Sequence, residues 1–359
     1  MKEMYRVIGV MSGSSMDGVD VAYCEIYYKN NNWQFEIKVA HTFPYDEKWR
    51  ITLSQLYKQY IEVFPKTHAF YGRYLGELIN KFIKSHHLSV DLIASHGHTI
   101  FHQPAFGFTA QIGDGSAISA ETGLPVVCDF RSMDIALGGQ GAPLVPVGDR
   151  LLFGKYEACL NLGGIANISF TVGDQMKAFD IGPCNIVLNR VARWLNKPYD
   201  DEGKIAASAN VDTYLLEKLE VLPYYRINGA KSLGREWINE SFWPIVKSYP
   251  NMREEEKMAT LAQHIANQIA ISVNEHKLQK ILVTGGGTFN KHLIGLIRKH
   301  TDAELEIPTD AIVNFKEALI FAFLGVLRIR NEENVLSSVT GSKQNHIGGA
   351  LYGNFKELI

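Results

Sequence analysis

Residues 5–20 read Tyr-Arg-Val-Ile-Gly-Val-Met-Ser-Gly-Ser-Ser-Met-Asp-Gly-Val-Asp, an apolar run that passes into a turn of glycines, hydroxyls and a carboxylate, then into a second apolar run. Small side chains in such a turn let backbone N–H groups close on an anion, and the hydroxyls of Ser14 and Ser15 add donors. The lysine that ends a GxxxxGK[ST] loop is missing, so this would be a different phosphate grip from the P-loop. An ordinary β-hairpin or an Asx-type turn explains the segment taken alone equally well. Two other segments have the same character. Asp180-Ile181-Gly182-Pro183 puts a carboxylate at a strand end, where it could act as a base or cap the helix expected from Asn185. Gly285-Gly286-Gly287 follows another strand, and a plain strand-to-helix turn needs one glycine rather than three.

The elements that must hold these turns are legible from periodicity. Strand-like runs at 7–10, 21–28 and 35–42, the last two joined by Lys29-Asn30-Asn31-Asn32, predict an antiparallel meander. Helices are expected at 49–60 and 67–85, the second carrying Phe70, Tyr74, Leu75, Leu78, Ile79 and Phe82 at helical spacing. A strand at 92–95 leads into a His96-Gly97-His98 turn, and one at 126–130 precedes Arg131, Asp134 and a Gly-rich loop. The middle repeats the opening theme, with strands at 158–162, 168–172 and 176–179 around Gly163-Gly164 and Gly173-Asp174 turns. Helices at 185–195, 211–219 and 254–276, a strand at 280–283 and a helix at 314–331 complete the reading. Each half therefore opens with strands joined by Gly/Asp turns and continues with helices, without a fixed-period repeat.

At 359 residues the chain exceeds the roughly 250–300 at which a single core stops growing, so two domains are expected. A net charge of -2 with 46% hydrophobic and 21% charged residues advertises neither a nucleic-acid surface nor a polybasic membrane anchor. A small-molecule partner is favoured. The apolar stretch 7–11 is too short for a signal-peptide core, and no run approaches the ~20 apolar residues of a membrane span, so a cytoplasmic protein is expected. Cys24, Cys128, Cys159 and Cys184 form no CxxC pair and read as reduced core thiols. His96 and His98, with His102, have the spacing of a metal pair, but His264, His276, His292, His300 and His346 fall in helix-like or loop segments rather than at later strand ends. That argues against a metallohydrolase and for a hydrogen-bonded turn.

Further segments make the pattern specific. They are Ser-His-Gly-His-Thr-Ile-Phe-His (95–102), Gln-Ile-Gly-Asp (111–114), Asp129-Phe130-Arg131 through Asp134 to Gly-Gly-Gln-Gly-Ala-Pro-Leu-Val-Pro (138–146), and Asn-Leu-Gly-Gly-Ile-Ala-Asn (161–167). Phe-Asp-Ile-Gly-Pro-Cys-Asn (179–185), Lys-Ser-Leu-Gly-Arg-Glu (231–236), Thr284 to Gly287 with Asn290, and Glu317-Ala318 complete the set. Together with residues 9–20 they closely resemble the anhydro-N-acetylmuramic acid kinase family over nearly the whole chain. Departures from its usual pattern are Ser14 for Thr, His98 for Gln, Ile181 and Cys184 for Thr and Gly, and Thr284 for Cys.

The resemblance implies an α/β, two-lobed actin-like (ribonuclease H-like) ATPase fold with a central cleft. One lobe would span residues 1–131 plus about 346–359 and the other 132–345. It implies ATP and Mg²⁺ as cofactors, a homodimer, and a role in peptidoglycan recycling. In the reaction implied, water opens the 1,6-anhydro bridge of anhydro-N-acetylmuramic acid while the freed O6 takes the γ-phosphoryl group. Asp180 would be the base. Gly13, Ser14, Ser15, Met16, Asp17, Gly18, Val19 and Asp20 would hold the phosphates with Gly164 and Gly182, and Gly285, Gly286, Gly287 and Asn290 the adenosine. Asp17 and Asp20 would reach Mg²⁺ through water, and Arg131, Asp134, His96 and Glu317 would meet the sugar. An interdomain salt bridge for Arg131 and Asp134, and plain surface solvation for Glu317, remain open. So do two other functions on the same scaffold, another sugar kinase or a non-catalytic nucleotide- or sugar-binding switch.

Overall fold

The computed structural model describes residues 2–13, 16–229, 231–356 and 358. The chain divides into two compact units, Met1–Leu152 with Phe315–Ile359, and Phe153–Asn314.

In the first unit the expected meander is formed by β1 (Met4–Ser12), β2 (Gly18–Lys29) and β3 (Asn32–Pro44), all antiparallel. Asn30 and Asn31, at φ 53° and 58°, close the β2–β3 hairpin; asparagine tolerates this left-handed conformation better than most residues. β4 (Leu92–Gln103) runs parallel to β1, and β5 (Phe108–Ile112) folds back on it. β6 (Val126–Cys128) lies parallel to β4, with β12 (Ala350–Tyr352) at the edge, giving the order β12-β6-β4-β1-β2-β3. Tyr71, Leu75, Ile79 and Phe82 of the helix Val63–His86 recur at helical spacing and pack with Ile8, Val10, Val21 and Ile93 of the sheet. At Gly9, a Cβ would lie 1.9 Å from the Ala318 carbonyl oxygen of the helix Asp310–Ile329. Gly9→Ala should therefore force this helix off the sheet and lower stability by about 1–3 kcal/mol, read as an earlier urea midpoint.

The second unit opens with its own meander, β7 (Ala158–Leu162), β8 (Ile165–Val172) and β9 (Gln175–Pro183). β10 (Lys280–Thr284) lies parallel to β7 and β11 (Glu304–Glu306) parallel to β10, so the order is β11-β10-β7-β8-β9. Strand for strand this repeats β6-β4-β1-β2-β3 of the first unit. The duplicated plan is the ribonuclease H-like one, and the protein is α/β throughout. Its core packs Ile265, Ile269 and Val273 of the helix Glu254–Glu275 with Leu160, Ile168 and Val187.

The first unit takes in residues 132–152 and 315–345, which the sequence reading gave to the second lobe. Contacts distant in sequence hold them there. A Cβ on Gly9 would meet the Ala318 carbonyl oxygen at 1.9 Å and one on Gly325 the Ala94 Cβ at 2.6 Å, and Lys316, paired with buried Asp149 at 2.8 Å, ties 145–152 to the same helix. His96-Gly97-His98 also differs from expectation, lying inside β4 rather than in a turn after it. The strand continues because Gly97 takes φ 73° and lets the Ile112 carbonyl approach to 2.4 Å from where a Cβ would stand. The helices Gly115–Thr122 and Val145–Leu152 had not been anticipated.

Candidate functional site

Each unit presents its own set of site residues. In the first, loop 13–18 joins β1 to β2; Ser14 and Ser15 lie outside the described residues. Met16 sits at φ 61° and its N–H donates to the Gly13 carbonyl at 3.3 Å. Gly18 is required by packing, since a Cβ would lie 2.4 Å from the Phe43 carbonyl oxygen. Val19 is buried, so its side chain serves the core, whereas Asp17 is exposed. Asp20 is half-buried on β2 and accepts a hydrogen bond from Thr42 Oγ1 at 2.6 Å. Burial pushes the Asp20 carboxyl above its ordinary value, the Thr42 bond pulls it back, and the charge of Asp17 adds to the rise.

Glu317 lies within the helix Asp310–Ile329. Its side chain is open to solvent on one side and walled by protein on the other. That burial, and the negative charge of Asp20, raise its pKa against the opposing pull of Lys316 and Arg131. Carboxylates whose fields oppose one another suit a divalent cation. Among the described residues no group of three or more His, Cys, Asp or Glu is arranged as a metal cage. Asp17 and Asp20, near enough that the charge of one raises the pKa of the other, are oxygen donors of the kind a divalent cation takes.

Arg131 Nε donates to His96 Nε2 at 2.9 Å, and Nη1 to the Gly141 carbonyl at 2.5 Å. A guanidinium can only donate, so His96 carries its proton on Nδ1, which lies 2.9 Å from the Gly97 carbonyl. Burial and the Arg131 charge hold His96 well below the usual histidine range, and burial lowers Arg131 to about 10. Among the described residues nothing accepts from Arg131 Nη2, which leaves that edge of the fork for an anion. His98 turns to a different partner, Ser12 Oγ, so the two histidines do not converge as a metal pair.

Asp134 departs from the expected sugar contact. It is 0% exposed and both oxygens are taken, Oδ1 by Thr340 Oγ1 (2.6 Å) and His346 Nε2 (3.0 Å), Oδ2 by the Gly141 N–H (2.6 Å). It shapes the loop that receives Arg131 and has no oxygen to offer a sugar.

In the second unit Asp180 lies on β9, opposite Asn167, beside a bulge. Its Oδ2 accepts from the Leu233 N–H at 2.8 Å and from Ser232 Oγ at 3.2 Å. Its backbone N–H donates to the Lys231 carbonyl at 2.9 Å, and its carbonyl accepts from Tyr224 OH at 2.6 Å. Among the described residues no donor reaches Oδ1. Burial raises the Asp180 pKa, opposed by the Leu233 and Ser232 bonds. The helix-cap alternative fails, because the N-cap of the helix Asn185–Trp194 is Cys184 and no side chain caps it. The N–H groups of Asn185 and Ile186 instead donate to the carbonyls of Gly163 and Gly164, at 3.2 and 3.1 Å, docking the β7–β8 turn on the helix. Gly182 packs under the Tyr225 ring, 3.2 Å from where a Cβ would stand. Ile181 and Cys184, 2% and 0% exposed, belong to the core, so these two departures from the family pattern expose no altered group.

The three glycines divide their work. A Cβ on Gly285, at φ 85°, would lie 2.5 Å from Asn161 Oδ1, and one on Gly287 2.6 Å from Leu162 Cβ; on Gly286 it would meet nothing within 4 Å. Gly286 thus offers bare backbone to a ligand while its neighbours seat the turn on β7. Asn290 is the N-cap of the helix Lys291–His300, its Oδ1 accepting from the Leu293 N–H at 2.9 Å. Sequence reasoning gave Ser232 and Leu233 no role; their only signal was the run 231–236.

Comparison with known proteins follows the same line. The profile of one family, anhydro-N-acetylmuramic acid kinase, matches residues 5–354. A protein of that name from Sulfurovum sp. (strain NBC37-1) is 34% identical over 361 residues, covering 97% of this chain and 99% of its own. Another, from Francisella tularensis subsp. novicida (strain U112), is 34% identical over 381 residues, covering 98% and 99%. Among solved structures, a ROK family glucokinase from Streptomyces griseus in complex with glucose and AMPPNP aligns over 89% of this chain and 99% of its own, at 11% identity and a TM-score of 0.42.

Proposed function

Because the chain belongs to the anhydro-N-acetylmuramic acid kinase family, we propose that Asp180 is the base that activates water in its reaction. The protein is a kinase that transfers a phosphoryl group to an alcohol oxygen of an amino sugar. The observation that carries the role of Asp180 is its asymmetric carboxylate: Oδ2 is held by Leu233 N–H and Ser232 Oγ, and Oδ1 takes no protein donor among the described residues. A base needs such an oxygen, oriented and unengaged.

Asp180 Oδ1 takes a proton from water, the water oxygen bonds to carbon one, and the bond from carbon one to O6 breaks. The electron pair released on O6 attacks the γ-phosphorus of ATP, and ADP leaves. Gly13, Asp17 and Gly18 present the first phosphate loop, and Arg131 Nη2 meets the acidic lactyl group. Asp17 and Asp20 would hold magnesium through water, and the bound ion would neutralise charge on the phosphates. We further propose that the reaction runs in the cytoplasm, where ATP is supplied, and that the protein acts as a homodimer, as the family resemblance implies.

Ser232→Ala removes a hydrogen bond to the charged form of Asp180. The acid limb of the pH profile of kcat/KM should therefore move to higher pH, since the remaining effect of burial is less opposed. An unmoved limb would separate Ser232 from the base. The function itself is tested by supplying ATP, Mg²⁺ and 1,6-anhydro-N-acetylmuramic acid. ADP and a phosphorylated sugar should form one to one, with glucose left untouched. Phosphorylation of glucose but not of the anhydro sugar would favour another sugar kinase; consumption of neither would favour a binding switch.

A further inference from the structure

Behind loop 13–18 lies a chain of buried hydroxyls that the reaction does not use. Ser12 ends β1 and is 2% exposed; its Oγ lies 2.5 Å from Tyr45 OH and 2.8 Å from His98 Nδ1. Tyr45 OH in turn bonds Tyr71 OH. Tyr45, Tyr71 and His98 are 6%, 0% and 3% exposed. They come from three places in the fold: the residue that follows β3, the helix Val63–His86 and β4. Burial holds His98 neutral, at about 4, so no charge enters the chain at working pH.

Tyr45 also reaches the other end of the loop, its backbone N–H donating to the Asp17 carbonyl at 3.3 Å. One residue thus grips the loop twice, through its hydroxyl at the residue that precedes it and through its amide at the residue that closes it. The Tyr45 ring is itself held, stacked on Tyr74 at 6.5 Å between centroids and edge-on to His98 at 6.5 Å.

We propose that Tyr45 is a positioning residue that fixes the distance between the two ends of loop 13–18, with Ser12, Tyr71 and His98 as its anchors. The proposal rests on the reading of that loop as the phosphate grip. Loop ends held at a set distance before ATP arrives do not have to be brought together by it, so the network's contribution should appear in nucleotide affinity. His98, where the family pattern has Gln, keeps an atom in reach of Ser12.

Tyr45→Phe keeps the ring and the amide and removes only the hydroxyl. It should raise KM for ATP roughly 3- to 10-fold, the worth of one to two hydrogen bonds, while KM for the sugar and kcat at saturating ATP stay within about twofold. Ser12→Ala should do the same, and the double variant should fall short of the product of the two single effects, because the Ser12–Tyr45 bond is lost in each. Tyr71→Phe gives a milder version should Tyr45→Phe fold poorly. Unchanged KM for ATP in these variants, or equal rises for both substrates, would overturn the proposal. Asp17→Asn separates the two readings. If it raises KM for ATP while Tyr45→Phe does not, the positioning role fails and the phosphate loop stands; if neither does, the phosphate loop itself is wrong.

Discussion

Asp180→Asn should lower kcat about 10²- to 10⁴-fold with little change in KM for ATP or sugar. The amide oxygen of asparagine can still accept from the Leu233 N–H and Ser232 Oγ, so segment 231–233 stays docked on β9. What is lost is basicity. Steady-state assays with each substrate varied separate this from a binding defect. A kcat near that of the unmodified enzyme would remove Asp180 from the proton path and leave it a structural residue of the β9 end.

Asp134→Ala should be the most destabilising single change in the first unit. It empties a fully buried carboxylate site and strands the donors Thr340 Oγ1, His346 Nε2 and Gly141 N–H. Each buried donor left without its acceptor costs about 1–3 kcal/mol, which urea unfolding would report as a clear drop in midpoint. The pH dependence follows from the same geometry. Burial alone would raise the Asp134 carboxyl, but hydrogen bonds from Thr340, His346, the Gly141 N–H and Ser342 outweigh it and leave it below its ordinary value. A carboxyl held lower in the folded than in the unfolded chain adds stability above its unfolded pKa of about 3.9. That contribution fades as pH falls toward the folded value. Unfolding midpoints compared at pH 7 and pH 3 should therefore converge between Asp134→Ala and the unmodified protein at the lower pH. A difference that is the same at both would mean that the carboxylate charge is not what stabilises the loop.

Much of the frame was legible because it is local. The alternation of apolar residues in the opening strands, the Asn30-Asn31 turn and the helical spacing of Tyr71, Leu75 and Ile79 each depend on neighbours a few positions away. The placement of residues 132–152 and 315–345 was not legible, since it depends on meetings such as Ala318 with Gly9 and Gly325 with Ala94, and of Thr340 with Asp134, 206 positions apart. The same holds for the site. Glycine runs and Asp180 announce themselves by type, but Ser232 reaches Asp180 across 52 positions and Tyr45 reaches Ser12 across 33. Asp134 carried the right chemistry for a sugar contact; only its burial and three donors show that it faces inward. Gly97 illustrates the converse, because a glycine between two histidines reads as a turn until a paired strand is seen to need its positive φ.

The most direct test follows oxygen. The enzyme is given ATP, Mg²⁺ and 1,6-anhydro-N-acetylmuramic acid in ¹⁸O-water and quenched early, and the phosphorylated sugar is analysed by mass spectrometry and NMR. The expected product carries one ¹⁸O at carbon one and none in the phosphate ester, and Asp180→Asn forms it slowly or not at all. Label in inorganic phosphate with carbon one unlabelled, or an undiminished rate from Asp180→Asn, would contradict water activation by Asp180 at the anhydro bridge.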